Sequence, residues 1–166
     1  MKPKDMEIAT ATPRDITGIA QLQQENSAVN NGTLSAALSE STIAEMIAEM
    51  PVIVARSDDK VMGFLMTSAL TKHKNIPIIQ AMLAAYSGGG NAFLYGPICV
   101  SSDARNQGLA KKMFAALRPL VAGREGVLFI RNDNAPSIKA HINMGMTLVA
   151  EFEYSGASHS VFSFTG

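Results

Sequence analysis

Of the 166 residues, 14 are Lys or Arg and 14 are Asp or Glu, so the formal net charge is zero and no overall field draws the chain to nucleic acid or an anionic membrane. The length suits one domain over 1–166 that buries about 70% of the surface the unfolded chain exposes, with no second domain needed. The single cysteine, Cys99, excludes an internal disulfide, and with no signal-like N-terminal segment and no apolar run of about 18 residues the cytoplasm is the expected compartment.

Residues 8–12 read as a short strand. Thr12-Pro13-Arg14-Asp15 then offers a capping threonine and a proline suited to a first helical position, so a helix starts there with Ile16, Ile19, Ala20 and Leu22 near one face. That pattern dissolves over 23–32, a polar, asparagine-rich stretch that reads as a loop. A second helix carries Ile43, Met46, Ile47 and Met50 at helical spacing and stops at Pro51. The apolar runs 52–55 and 61–70 flank a polar turn at 56–60, which predicts a hairpin. Residues 76–86 predict a helix. The following Ser87-Gly88-Gly89-Gly90 has little side chain to pack and reads as a mobile surface connection.

Residues 92–100 are almost continuously apolar, as in a strand covered on both faces. Gly96-Pro97 should break its ladder, because proline has no N–H to donate, and leave unpaired backbone groups toward the strand's far end. A helix over about 105–122 buries Leu109, Met113, Phe114, Leu117 and Val121 and kinks or ends at Pro119. A strand at 126–131, a helix at 134–144 and a closing hairpin of strands 146–154 and 159–164 complete the chain. The order implies an α/β (α+β) fold, a mixed sheet with helices on both faces.

The most informative stretch joins the strand ending at Val100 to the helix that follows. A helix start leaves four N–H groups without intrahelical partners and carries about half a positive charge, which suits a phosphate. Gly108 has no Cβ, so an anion can approach the amides of residues 106–110, and small Ala110 keeps the next turn open. Arg105 adds a fixed positive charge.

Arg105-x-x-Gly108-x-Ala110 resembles the Q/R-x-x-G-x-G/A signature of the GCN5-related N-acetyltransferase (GNAT) family. A second landmark follows the strand at 126–131. There Asn134-Ala135-Pro136-Ser137-Ile138-Lys139-Ala140-His141-Ile142-Asn143-Met144-Gly145-Met146 resembles the family's N-x-x-A/S-x-x-x-Y/H-x-x-x-G-F pattern, with Met146 in place of the aromatic. The resemblance covers nearly the whole chain. It implies a mostly antiparallel central sheet of about seven strands, splayed in the middle, and acetyl-CoA as co-substrate with no metal.

By the same resemblance, Arg105, Asn106, Gln107, Gly108, Leu109 and Ala110 hold the pyrophosphate of coenzyme A. Asn134, with Ser137 and His141, contacts the pantetheine or phosphate arm. Pantetheine then fills the wedge opened at Gly96-Pro97, its amides pairing with backbone near Ile98, Cys99 and Val100 as an added strand does. N–H groups there can also polarise the acetyl carbonyl.

Many family members protonate the departing thiolate with a tyrosine where this chain has His141. A ring N–H still can donate, and Tyr95 and Tyr154 are substitutes, Tyr95 being the one taken with His141 as catalytic. No general base stands out. Glu45 and Glu49 lie four apart on one helix, as on a solvated face, and Glu151 and Glu153 share one strand face that either meets an amine or simply solvent. Cys99, in an apolar strand, reads as inert packing rather than an acyl-accepting nucleophile. His73, His141 and His159 are too dispersed for zinc.

The leading expectation is direct acetyl transfer from acetyl-CoA to a primary amine of a small molecule or protein, in a pocket walled by residues 23–34, the 71–90 insert and the closing hairpin. A non-catalytic acyl-CoA-binding or sensing module is the alternative, supported by the missing tyrosine. A nucleotide-phosphate binder of another fold is weaker, because Lys and Ser/Thr do not follow Gly108 as a P-loop requires. If residues 161–164 lie at a sheet edge, they can pair with a second copy in a homodimer.

Overall fold

The computed structural model describes residues 6–26, 38–73, 75–105 and 107–166. Their strands form a seven-stranded sheet, in the order β1-β2-β3-β4-β5-β7-β6. In chain order the elements are β1 (Glu7–Thr10), α1 (Ile16–Glu25), α2 (Glu40–Glu49), β2 (Ile53–Ser57), β3 (Lys60–Ala69), α3 (Pro77–Ala85) and β4 (Phe93–Val100). Then come α4 (Leu109–Leu117), β5 (Glu125–Arg131), α5 (Ala135–Asn143), β6 (Thr147–Tyr154) and β7 (Ala157–Thr165). The β4–β5 pair is parallel, whereas β1–β2, β2–β3, β5–β7 and β6–β7 are antiparallel. The order of elements and the mixed, mostly antiparallel sheet match the sequence reading.

The described residues form two compact units: one of the residues up to Thr67 with Gly96–Leu120, the other of Ser68–Tyr95 with Val121–Gly166. In the first, the apolar faces of α1 and α2 (Ile19, Leu22, Ile43, Met46) pack with Val52, Val54, Val61, Phe64 and Met66 of the β2–β3 region. Ser39 caps α2, its hydroxyl accepting from the Thr42 N–H at 3.2 Å. The hairpin turn falls on Asp58 and Asp59, both left-handed (φ 50° and 67°), as a tight two-residue connection requires.

A buried ion pair fastens β2 to the start of α1. Arg56 donates from Nε to Asp15 Oδ1 at 2.7 Å and from Nη2 to Asp15 Oδ2 at 2.6 Å, while its Nη1 reaches Glu7 at 2.6 Å. The Thr12 N–H adds a bond to Asp15 Oδ2 at 2.9 Å. Burial alone would raise the Asp15 pKa, but the hydrogen bonds from Arg56 and Thr12 outweigh it and hold the carboxyl below its ordinary range.

The second unit packs Ile79 and Met82 of α3 against Leu94, Val127 and Val161. Within residues 87–90, read as a mobile surface connection, Gly89 is tied and Gly88 is packed. The Gly89 N–H donates to Glu125 Oε1 at 2.7 Å, and Glu125 Oε2 accepts from the hydroxyls of Tyr86 and Ser163. A Cβ on Gly88 would stand 2.8 Å from the Ala92 methyl, so the glycine marks close packing. Burial pushes the Glu125 pKa up, yet these three donors carry it below the usual carboxylate range.

Other differences are local. The chain enters α1 through a 3-10 turn at Pro13–Asp15, and α1 continues to Glu25, three residues into the stretch read as loop. Gln23 is buried, donating to the Leu38 carbonyl at 2.6 Å and accepting from the Leu38 N–H at 2.8 Å. The rest of that loop, and with it most of the expected acceptor wall at 23–34, lies at 27–37, outside the described residues. Helix α4 begins at Leu109 rather than 105, after a separate 3-10 turn at Ser102–Ala104, and gives way before Pro119 to another at Arg118–Val121.

Strand β7 pairs with β5 on one side and β6 on the other, so residues 161–164 are interior and cannot serve as the edge expected to pair with a second copy. The edge is β6, whose register slips by one residue between Leu148 and Ala150. No helix among the described residues is long and apolar enough to cross a membrane.

Candidate active site

In the first unit, β4 ends at Val100, and the Ser101 N–H still bonds the Met62 carbonyl on β3 at 2.8 Å. The chain turns through Ser102–Ala104 and enters α4 at Gly108, which is left-handed (φ 71°, ψ 21°) with no side chain capping the helix. A Cβ there would meet nothing within 4 Å, so the space in front of the first turn is open. The Gly108 carbonyl accepts the Lys112 N–H at 3.0 Å, while the N–H groups of the first turn have no partners inside the helix. Gln107 and Gly108 are exposed, Leu109 is buried and Ala110 is half-buried; Asn106 lies outside the described residues.

Arg105 is exposed, but its guanidinium is tethered: Nη2 donates to Asn26 Oδ1 at 2.9 Å. Asn26 is buried at the end of α1, and its Nδ2 donates to the Leu22 carbonyl at 2.9 Å. On β4, Ile98 and Val100 are half-buried and Cys99 is buried in the α1–α2 core. Burial pushes the Cys99 thiol up to about 12, so it stays protonated and a covalent acyl-cysteine route has no physical support.

In the second unit, the parallel β4–β5 ladder runs through Phe93↔Gly126 and Leu94↔Val127, both ahead of Gly96 (φ 122°), where the sequence predicts it to break. Tyr95, next in line, is buried with His141 of α5: its hydroxyl lies 3.1 Å from His141 Nε2, and the rings meet edge-on with centroids 5.6 Å apart. His141 Nδ1 lies 2.7 Å from the Ser137 carbonyl. A carbonyl can only accept, so Nδ1 carries the hydrogen and Nε2 accepts from the Tyr95 hydroxyl. Burial lowers the His141 pKa and raises that of Tyr95, so both are neutral near pH 7.

His141 has no Nε2 proton to offer, and the hydroxyl hydrogen of the pair belongs to Tyr95. Asn134 caps α5, its Oδ1 accepting the Ser137 N–H at 3.4 Å, and the helix ends at left-handed Gly145 (φ 93°), as the pattern 134–146 requires.

The carboxylates are less organised. Glu45, Glu49 and Glu151 are exposed, and Glu153 accepts from the Ser158 hydroxyl. His159 is stacked on Phe152 with ring centroids 4.9 Å apart, and no group of three His, Cys, Asp or Glu among the described residues is placed to hold a metal. Sequence reasoning missed Gln23, Asn26 and Glu125, each a polar residue in an ordinary context whose partner is distant in the chain.

A family model described as the acetyltransferase (GNAT) family matches residues 19–146. The chain belongs to the GNAT family. Solved structures agree in fold. The GNAT superfamily phosphinothricin acetyltransferase of Sinorhizobium meliloti, determined with acetyl-CoA, superposes with a TM-score of 0.72 at 19% identity over 96% of this chain and 87% of that one. An N-acetyltransferase of Staphylococcus aureus Mu50 gives 0.70 at 19% over 97% and 98%, and Arabidopsis thaliana NAA60, also with acetyl-CoA, gives 0.71 at 14% over 98% and 100%. A comparison with curated proteins found no match. The GNAT family assigned from Arg105-x-x-Gly108-x-Ala110 and the 134–146 pattern is thus borne out, together with its fold.

Proposed function

We propose that this GNAT member transfers an acetyl group from acetyl-CoA directly to a primary amine of a small molecule or protein. The observation that carries the reading is the uncapped, open start of α4 at left-handed Gly108, beside Arg105. There the free N–H groups and the helix dipole seat the pyrophosphate, and the guanidinium adds charge-assisted hydrogen bonds. Backbone at Ile98 and Val100 pairs with the pantetheine amides, and an N–H aimed at the thioester carbonyl stabilises the oxyanion, worth roughly 2.7 to 4 kcal/mol per donor. Asn134 keeps its side-chain N–H₂ for the cofactor arm, since capping uses only Oδ1.

The amine nitrogen attacks the acetyl carbon, the C–S bond breaks, the nitrogen gives up one proton to solvent and the sulfur takes one. Tyr95 is the donor to that sulfur. Its high pKa keeps the hydroxyl hydrogen on at every working pH; in the resting pair that hydrogen is held by Nε2 of neutral His141, and it turns to the sulfur as the C–S bond breaks, to be replaced from solvent. Of the two residues taken as catalytic in the sequence, Tyr95 therefore acts on the leaving group and His141 positions it.

Release of free thiol from acetyl-CoA with a panel of amines tests the reading. Turnover with at least one amine is expected. Tight coenzyme A binding with no turnover across the panel would favour the sensing module, for which the absence of tyrosine at position 141 already speaks. No binding of coenzyme A at all would overturn both.

A further inference from the structure

We propose that Asn26 is a positioning residue for the donor: its uncharged amide holds the Arg105 guanidinium beside the start of α4 without cancelling the charge that the pyrophosphate needs. This rests on the assignment of the 105–110 turn as the pyrophosphate seat.

Arg105 is exposed, and an exposed arginine ordinarily samples many rotamers, which costs entropy when it must meet an anion. Here one end of the guanidinium is already fixed, Nη2 to Asn26 Oδ1 at 2.9 Å. The amide is fixed in turn. Its Nδ2 donates to the Leu22 carbonyl at 2.9 Å, so a flip would place two oxygens face to face at Leu22 and two sets of N–H groups face to face at Arg105. Oδ1 can point only toward the guanidinium.

The support behind Asn26 is equally specified. Asn26 is buried at the C-cap of α1, its own N–H bonded to the Gln23 carbonyl at 3.2 Å, and Gln23 is clamped through both side-chain atoms to the backbone of Leu38. The negative end of the α1 dipole also favours a cation there. A carboxylate at position 26 would hold Arg105 too, but as an ion pair, and a paired arginine has less charge to give a diphosphate. Asparagine supplies direction without neutralisation, and among the described residues the guanidinium has no other hydrogen-bond partner, which leaves N–H groups for a second, anionic one.

The test is calorimetric titration of the whole chain with coenzyme A and, separately, with pantetheine, which lacks the phosphates. Four variants are compared with the parent: Asn26→Asp, Asn26→Ala, Arg105→Gln and the double variant Asn26→Asp/Arg105→Gln. Asn26→Asp should weaken coenzyme A binding about tenfold or more, the scale of one hydrogen bond to a charged group, and leave pantetheine within about twofold. In the Arg105→Gln background the same change should add almost nothing. Asn26→Ala, which frees the guanidinium without pairing it, should weaken coenzyme A less than Asn26→Asp and again spare pantetheine.

Asn26→Asp sets a carboxylate against the Leu22 carbonyl, so if that variant does not fold, Asn26→Ala decides alone. Parental coenzyme A affinity in the folded Asn26 variants, an equal loss for pantetheine, or a loss that persists without Arg105 would overturn the proposal. Failure of the parent protein to bind coenzyme A would instead overturn the pyrophosphate seat itself, a separate result read in the first titration.

Discussion

The Tyr95 hydroxyl and His141 Nε2 lie 3.1 Å apart across 46 positions of chain, with the histidine's other nitrogen committed to the Ser137 carbonyl. Tyr95→Phe deletes the hydroxyl and keeps the ring that packs edge-on against Phe164. We expect kcat to fall by about 10²-fold, the lower end for a positioned proton donor, with the KM for acetyl-CoA nearly unchanged. Steady-state kinetics measure this, and a kcat within a factor of about three of the parent would remove Tyr95 from the chemistry.

The same pair sets a pH dependence. His141 is buried and its folded pKa is depressed, while in the unfolded chain it titrates near 6.5. Above that pH both states are neutral and the group has no effect. As the pH falls below about 6.5 the unfolded state takes up the proton first, so stability declines toward acid. His141→Asn keeps a donor for the Ser137 carbonyl and does not titrate. Denaturant unfolding at pH 7.5 and 5.5 should show a smaller acid loss in the variant; an equal loss in both proteins would contradict a neutral buried imidazole.

Gly108 tests the anion seat from the backbone side. Its φ of 71° is costly for any residue with a Cβ, and the open space before α4 is where an anion approaches. Gly108→Val should therefore cut coenzyme A affinity more than about tenfold while the Tyr95–His141 pair stays intact, which a parental pKa for His141 by NMR would show. Unchanged affinity would place the pyrophosphate elsewhere.

Removing Asp15 leaves the buried Arg56 guanidinium with only the exposed Glu7 carboxylate to balance its charge. Asp15→Asn should cost about 3–5 kcal/mol in urea unfolding, the usual penalty for breaking a buried ion pair from one side. A loss below about 1 kcal/mol would mean that Glu7 and water together satisfy Arg56.

Glu125 fastens the glycine run. Glu125→Gln keeps the size but cannot accept from three donors as a carboxylate does, so the Gly89 amide should exchange with deuterium faster, and the unfolding free energy should drop by about 1–3 kcal/mol. Because the folded pKa is depressed, the carboxylate's contribution is complete above about pH 5 and fades as the pH falls through the folded value. Parental exchange at Gly89 in the variant would show that packing at Gly88 alone holds the segment.

The element order was legible because its signals are local. Ile43 and Met46 at helical spacing before Pro51, Thr12-Pro13 ahead of α1, and Gly145 after α5 each act within a few residues. What escaped notice acts over distance. Gln23 and Asn26 look like loop residues until Leu38 and Arg105, 15 and 79 positions away, bury their amides. The run 87–90 looked free because Glu125, which pins Gly89, lies 36 positions on. At the site, the turn at 105–110 and both members of the Tyr95–His141 pair were named from sequence. Their direct contact was not, and the tautomer that makes tyrosine the donor follows only from the Ser137 carbonyl.

The one-residue slip in β6 shapes what this edge of the sheet can offer to another strand. An outermost strand with regular spacing is a template on which further chains can stack without limit. At Leu148–Ala150 the outward N–H and C=O groups fall out of step, so a straight incoming strand can match one half of β6 or the other but not both. The interruption falls where half-exposed Leu148 stands on this edge, so the strand offers an added chain no long regular ladder there.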